Sequence, residues 1–194
     1  MKFVPILNAQ SHSHLTQEDW ESLAFSHVAI DVIQLFLHGH VFIPETGKTV
    51  FLITTVLPCH KTSRLKDSPG DFFLHSPHNG EKIPVTQESI QNKLVSFKEK
   101  QGAEKKIIII NSLSTEYDIS DQPGKDAEQG ALYSNNGVIS IKNLEWATVI
   151  APIKESCDCY TCQHFTLSYL HHLNQVGVPL GVRLGLLHNL YQRR

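Results

Sequence analysis

Three cysteines within six positions, Cys157, Cys159 and Cys162, followed by His188 after twenty-five intervening residues, constrain this chain more than any other feature. Three thiolates and one imidazole form the tetrahedral ligand set of closed Zn²⁺ sites, with Zn–S near ~2.3 Å and Zn–N near ~2.0 Å. No coordination position is left for a reactive water, so one structural zinc ion is expected. Whatever fold the chain adopts must then carry a C-terminal helix back to a cysteine knuckle. The competing use of clustered thiols is a disulfide. Only four cysteines are present, three of them here and Cys59 alone elsewhere. That arrangement suits metal binding in a reducing compartment better than a secreted framework, and a cytoplasmic location is expected.

Composition sets the outer limits. With 41% hydrophobic and 19% charged residues over 194 positions, the chain can bury a core of one ordinary domain or of a domain with a small appendage. A net charge of −2 excludes a broad basic field, so any contact with nucleic acid must come from a local patch. No window approaches the roughly 18 apolar residues of a spanning helix. The opening Met1 to Leu7, interrupted by Pro5, is too short for a signal peptide, and no membrane association is expected.

The order of patterns along the chain points to α/β architecture. Phe3 to Leu7 reads as a strand and is followed by a helix capped at Thr16, with Trp20, Leu23 and Ala24 on its apolar face. Val28 to Leu37 and Thr49 to Leu57 read as further strands, the first ending at His38-Gly39-His40. A second capped helix begins at Thr86 and carries Ile90, Leu94 and Phe97. Ile107 to Ile110, four β-branched residues in a row, read as a strand buried on both faces of a parallel sheet. Residues 111–130 are polar and turn-rich and read as a surface loop or a site. Ser134-Asn135-Asn136-Gly137 between apolar pairs marks a hairpin. Past the cysteines, a helix presenting Phe165, Tyr169, Leu170 and Leu173 ends at Gly177 and Pro179, and a last helix carries Leu180, Leu184, Leu187, His188 and Tyr191. The division expected is an α/β region over residues 1–130 and a hairpin with a zinc-binding unit over residues 131–194.

The residues around the ligands are more specific than zinc requires. Cys157-Asp158-Cys159-Tyr160-Thr161-Cys162, Tyr169-Leu170-His171-His172-Leu173 and Leu187-His188-Asn189-Leu190 closely resemble the zinc segment of the tRNA-guanine transglycosylase family. Gly130 to Tyr133 with Asn136 to Asn143 resembles the hairpin before it. Ser76 to Lys82 with Thr86 and Ser89 to Asn92, and Phe3 to Ile6 with Leu15 to Glu18, resemble earlier family segments in order. The resemblance implies a (β/α)₈-type barrel, here shortened, incomplete or opened into a sheet, since about 250 residues is typical of the barrel alone. It implies exchange of guanine in tRNA for a deazaguanine on the path to queuosine or archaeosine, with tRNA as partner. In that chemistry one aspartate attacks the ribose anomeric carbon and another handles protons.

Set against the family, Tyr117-Asp118-Ile119-Ser120-Asp121 resembles the nucleophile motif and makes Asp121 the candidate nucleophile. The Ser-Gly-Gly-Phe-Gln and Gly-Gly-Leu pocket segments have no counterpart. Asn111-Ser112-Leu113-Ser114 stands where the proton-handling aspartate is expected. The alternative is therefore a non-catalytic relative that binds tRNA or pairs, as a homo- or hetero-dimer, with a complete transglycosylase subunit, or an inactive remnant. Secondary candidates are His12, His14, His38 and His40 as metal ligands, His171 or His172 as a ligand-orienting or RNA-touching group, and Lys142, Arg183, Arg193 and Arg194 as a phosphate patch; solvated helix ends explain these cations equally well.

Overall fold

The computed structural model describes residues 2–7, 14–33, 36, 43–53, 62–64, 72–75, 82–101, 105–110 and 116–194. In chain order the elements are β1 (Lys2–Leu7), α1 (Gln17–Leu23), β2 (His27–Asp31), β3 (Thr49–Ile53), β4 (Thr62–Arg64), β5 (Phe72–His75), β6 (Lys82–Val85), α2 (Gln87–Gln101), β7 (Lys106–Ile110) and β8 (Tyr117–Ser120). Then come α3 (Gln122–Glu128), β9 (Ala131–Ser134), β10 (Gly137–Ser140), a 3₁₀ turn (Leu144–Trp146), α4 (Tyr160–His164), α5 (Leu167–Gln175) and α6 (Pro179–Arg193).

Five strands form one parallel sheet in the order β7-β3-β2-β1-β8. The period-two alternation of side chains divides it into two apolar faces. Phe3, Leu7, Val28, Ile30, Val50, Leu52 and Ile107 face a helical layer made by Trp20 and Leu23 of α1, Ile90, Leu94 and Phe97 of α2, and Leu186, Leu187 and Leu190 of α6. Val4, Ile6, Ala29, Phe51, Ile53, Ile108, Ile110, Tyr117 and Ile119 gather on the other face. The Tyr117 ring on β8 lies 4.9 Å, centroid to centroid, from the Phe51 ring on β3. Three strand spacings of about 4.8 Å each separate those strands on a flat sheet, so the sheet curls around this inner face. β4, β5 and β6 form a separate three-stranded antiparallel sheet, and β9 and β10 a hairpin turning at Asn135-Asn136.

Both helix starts follow their capping chemistry. Thr16 Oγ1 accepts from the Asp19 N–H at 3.2 Å while Asp19 Oδ2 accepts from the Thr16 N–H at 2.8 Å, a reciprocal box that satisfies two otherwise orphaned donors. Thr86 and Ser89 repeat the exchange ahead of α2.

Four sequence expectations are corrected. The strand expected over Val28 to Leu37 stops at Asp31, whose Oδ1 accepts the Ile33 N–H at 2.9 Å and bends the chain out of the sheet. Among the described residues the Ile107 to Ile110 run is an edge strand of the sheet, with Ile109 39% exposed; a continuous apolar run does not distinguish an edge from a centre. Residues 117–128, expected as polar loop, form β8 and α3. β8 pairs with β1 from Lys2–Tyr117 to Pro5–Ser120, and its polar residues Asp118 and Ser120 alternate with Tyr117 and Ile119 on the inner face. The single helix expected after Cys162 is two, α4 and α5, broken where Phe165 adopts extended backbone. Cys59, His12, His38, His40, the Ser76 to Glu81 segment and Asn111 to Ser114 lie outside the described residues. Among those described, no helix is long and apolar enough to cross a membrane.

Candidate metal centre

The cysteine knuckle is built by a helix start. Cys159 takes the N-cap position of α4, its Sγ accepting the Cys162 N–H at 3.4 Å, so the first turn of the helix carries two thiols to one side. Cys157 joins them from the preceding segment, where Gln163 Nε2 holds its carbonyl at 3.1 Å. α6 brings His188, fully buried, with Nδ1 at 3.8, 3.4 and 3.2 Å from the sulfurs of Cys157, Cys159 and Cys162. A tetrahedron with metal–sulfur and metal–nitrogen bonds of about 2.3 and 2.0 Å has S···N edges of about 3.5 Å, which these distances bracket. All four ligand atoms lie within 4.8 Å of one another and all four residues are buried, a cluster able to hold a metal ion.

The surroundings fix the ligands for that task. His188 Nε2 lies 2.7 Å from the Tyr133 carbonyl on β9 and donates its proton there, which leaves Nδ1 as the lone-pair nitrogen facing the thiols. Gln192, one turn further along α6, donates from Nε2 to Cys157 Sγ at 3.0 Å, and Lys154 holds the other end of that amide at 2.8 Å. Proton affinities within the cluster diverge. Burial pushes the Cys157 thiol up. Hydrogen bonding with Cys162 and then burial push Cys159 up to about 12, while the same contact draws Cys162 down. Packed thiols cannot all ionise together unless a cation compensates them, which is the role of a metal in such a set.

The motif residues beside the ligands stitch the hairpin to the helices. Asn189, buried, accepts the Tyr133 N–H at 3.1 Å and donates to the Ala131 carbonyl at 2.9 Å, covering the open edge of β9. His171, also buried, meets the Ile141 carbonyl through Nδ1 at 2.7 Å, and Thr161 Oγ1 donates to the Leu184 carbonyl at 2.7 Å. His171 is thus a hairpin tie, and His172 is exposed on α5. Gly185 lets α6 approach this closely: a Cβ there would stand 2.9 Å from Leu132 Cδ2.

The remaining candidates are dispersed. Asp118 lies on the helix-covered side of β8 and pairs with Arg193 of α6, whose guanidinium also sits over the Phe3 ring at 5.0 Å. Asp121 follows the carboxyl end of β8 and is held by Lys125 Nζ at 2.8 Å. The space that Asp121 lines with Pro5, Ile6 and Trp20 has a volume of about 10 Å³, room for one water. Arg183 forks onto Asp19 at 2.8 and 2.9 Å. His14 stands 3.9 Å from Glu128, and among the described residues the Cys₃His group is the one metal-competent cluster. Asp31 escaped the sequence reading. Its signal was an acid inside the apolar run Val28 to Ile33, and it is 1% exposed at the carboxyl end of β2.

Residues 102–193 match the family model described as queuine tRNA-ribosyltransferase. Curated proteins of that name are similar over the same order of length. That of Nitrosomonas eutropha is 49% identical over 73 residues, covering 37% of this chain and 20% of that protein. That of Thiobacillus denitrificans is 49% identical over 69 residues, 36% and 19% respectively. That of Nitrosomonas europaea is 43% identical over 89 residues, 44% and 24%. The matched part of the chain thus spans about a fifth to a quarter of the length of these relatives.

Proposed function

We propose that this chain, which matches the queuine tRNA-ribosyltransferase family through residues 102–193, works on tRNA as a zinc-containing relative of the transglycosylases that binds tRNA without supplying the nucleophile. The carrying observation is the buried Cys157, Cys159, Cys162 and His188 cluster, wired through Tyr133 to the hairpin within the matched segment. Zinc fits this donor set best, because three thiolates and an imidazole favour a tetrahedral d¹⁰ ion. When bound, the ion neutralises the thiolates and cross-links α4, α6 and, through His188, β9. It has no open position for chemistry.

The state of the two aspartates supports a binding role. Asp118 faces the helical layer and is paired, and Asp121 is paired beside a space of about 10 Å³ among the described residues. Pairing with a complete transglycosylase is supported by an exposed aromatic row on the metal unit. Tyr160, His164, Phe165 and Tyr169 follow one another with ring centroids 4.5 to 6.4 Å apart, and Tyr160 is 54% exposed.

A second reading, guanine exchange by this chain with Asp121 as nucleophile, is favoured by one observation. Asp121 stands at the carboxyl end of a parallel strand, where α/β folds place their ligands. The separating experiment is incorporation of labelled guanine into tRNA by the purified chain, beside direct tRNA binding. Binding without incorporation is the expected result. Incorporation abolished by Asp121→Asn would establish the enzyme, and absence of tRNA binding and of co-purification with a transglycosylase would overturn the binding reading.

A further inference from the structure

Two strands of the curled sheet open with lysines and a third with a histidine. Lys2 starts β1, His27 starts β2 and Lys106 starts β7, and all three have the parity of the inner face, as does Tyr117 at the start of β8. Strand register sets His27 opposite Thr49 and Thr49 opposite Lys106. The Lys2 ammonium donates to His27 Nδ1 at 3.0 Å and to Ser26 Oγ at 3.3 Å. Burial, then the charges of Lys2 and Lys106, hold the His27 imidazole below the ordinary histidine range, which places both ammonium groups in its field. Beneath them the rings of His27, Tyr117 and Phe51 lie 4.9 to 6.1 Å apart.

Beside this mouth opens a cleft of about 410 Å³ lined by Lys2, Phe3, Phe25, Ser26, Arg193 and Arg194. Arg193 is spent on Asp118, and Arg194 lies over the Tyr191 ring at 5.8 Å. Lys105 is also spent, on the carbonyls of Pro44 and Gly47. Among the described residues, carboxylates at this end include Glu45, Glu116 and Asp118. In a chain of net charge −2, Lys2, Lys106 and Arg194 thus concentrate positive charge at one place, next to flat rings. A cluster of surface cations is the arrangement that holds a nucleic-acid backbone through its phosphates.

We propose that the amino-terminal mouth of the sheet binds the RNA sugar-phosphate backbone, with Lys2, Lys106 and Arg194 on phosphates. The site is at the opposite end of the sheet from Asp121 and gives the tRNA-binding reading, on which the identity of the RNA rests, a second contact.

The test measures binding of the full chain to tRNA and to an unrelated RNA hairpin across a salt series, for wild type and for Lys2→Gln, Lys106→Gln and Arg194→Gln singly and combined. Each side chain is on the surface, and thermal unfolding checks that the variants remain folded. Each lost phosphate contact lowers the slope of log K against log salt by about 0.7 to 0.9, so the triple variant is expected to lose about two in slope. Binding of wild type to both RNAs, with slopes that fall in the variants, upholds the site and removes the tRNA-specific reading. Binding to tRNA with slopes unchanged in the triple variant overturns the site and leaves that reading standing. Binding to neither RNA ends both.

Discussion

At the scale of single residues, the buried polar side chains of α6 act through the backbone groups they satisfy. Asn189 covers one N–H and one carbonyl of β9. Asn189→Leu, which keeps the branched shape without the amide, leaves those groups buried without partners and should cost about 1–3 kcal/mol, read from denaturant unfolding. Gly185 carries the opposite constraint. Gly185→Ala pushes a methyl against Leu132 and should destabilise by about 1–3 kcal/mol, although alanine is the better helix former. Asp19 gives a pH signature. Burial alone would raise its pKa, but the hydrogen bonds from Arg183 and Thr16 outweigh it and hold it below 3.8. A carboxylate with a depressed folded pKa stabilises above its unfolded value and loses that contribution as pH falls through the folded one. The stability difference between wild type and Arg183→Gln should therefore be full above about pH 5 and shrink below about pH 4. A difference constant across that range would contradict the pairing.

At the scale of elements, legibility depended on whether the signal was local. The Thr16 and Thr86 caps, the Asn135-Asn136 turn and the Cys-x-Cys-x₂-Cys knuckle each declare themselves within a few residues, and each stands where it was expected. β8 did not. Asp118 and Ser120 make it polar in sequence, and only its pairing with β1 and the Arg193 partner from the far end of the chain make it a strand. The Ile107 to Ile110 run suggests a strand buried on both faces, because hydrophobicity reports burial without reporting neighbours. Asp31 was missed for the same reason: an acid in an apolar run is a defect until the carboxyl end of a strand is known to be there. The cap on α1 supports a direct check. Thr16→Ala removes one half of the reciprocal box and should cost about 1 kcal/mol, while Thr16→Ser should be close to neutral.

At the scale of the whole molecule, the C-terminal helix belongs to two structures at once. Leu186, Leu187 and Leu190 pack in the sheet's outer core, while Leu184 and His188 complete the core around the cysteines. Withdrawal of a metal from the Cys₃His group should therefore loosen the hairpin and also lower the cooperativity of the sheet region. Chelator titration followed by hydrogen exchange over β9 and β1 would register both effects. The sequence disclosed the ligand set but not this sharing, because the leucines alternate with His188 on a helix whose two faces meet different partners. On the proposed reading these four residues hold one structural zinc. X-ray absorption at the zinc edge, with metal content per chain, tests it most directly. One zinc per chain in a four-coordinate shell of three sulfurs near ~2.3 Å and one nitrogen near ~2.0 Å is the expected result. A metal-free protein after purification with zinc present, or a shell containing a water oxygen, would contradict it.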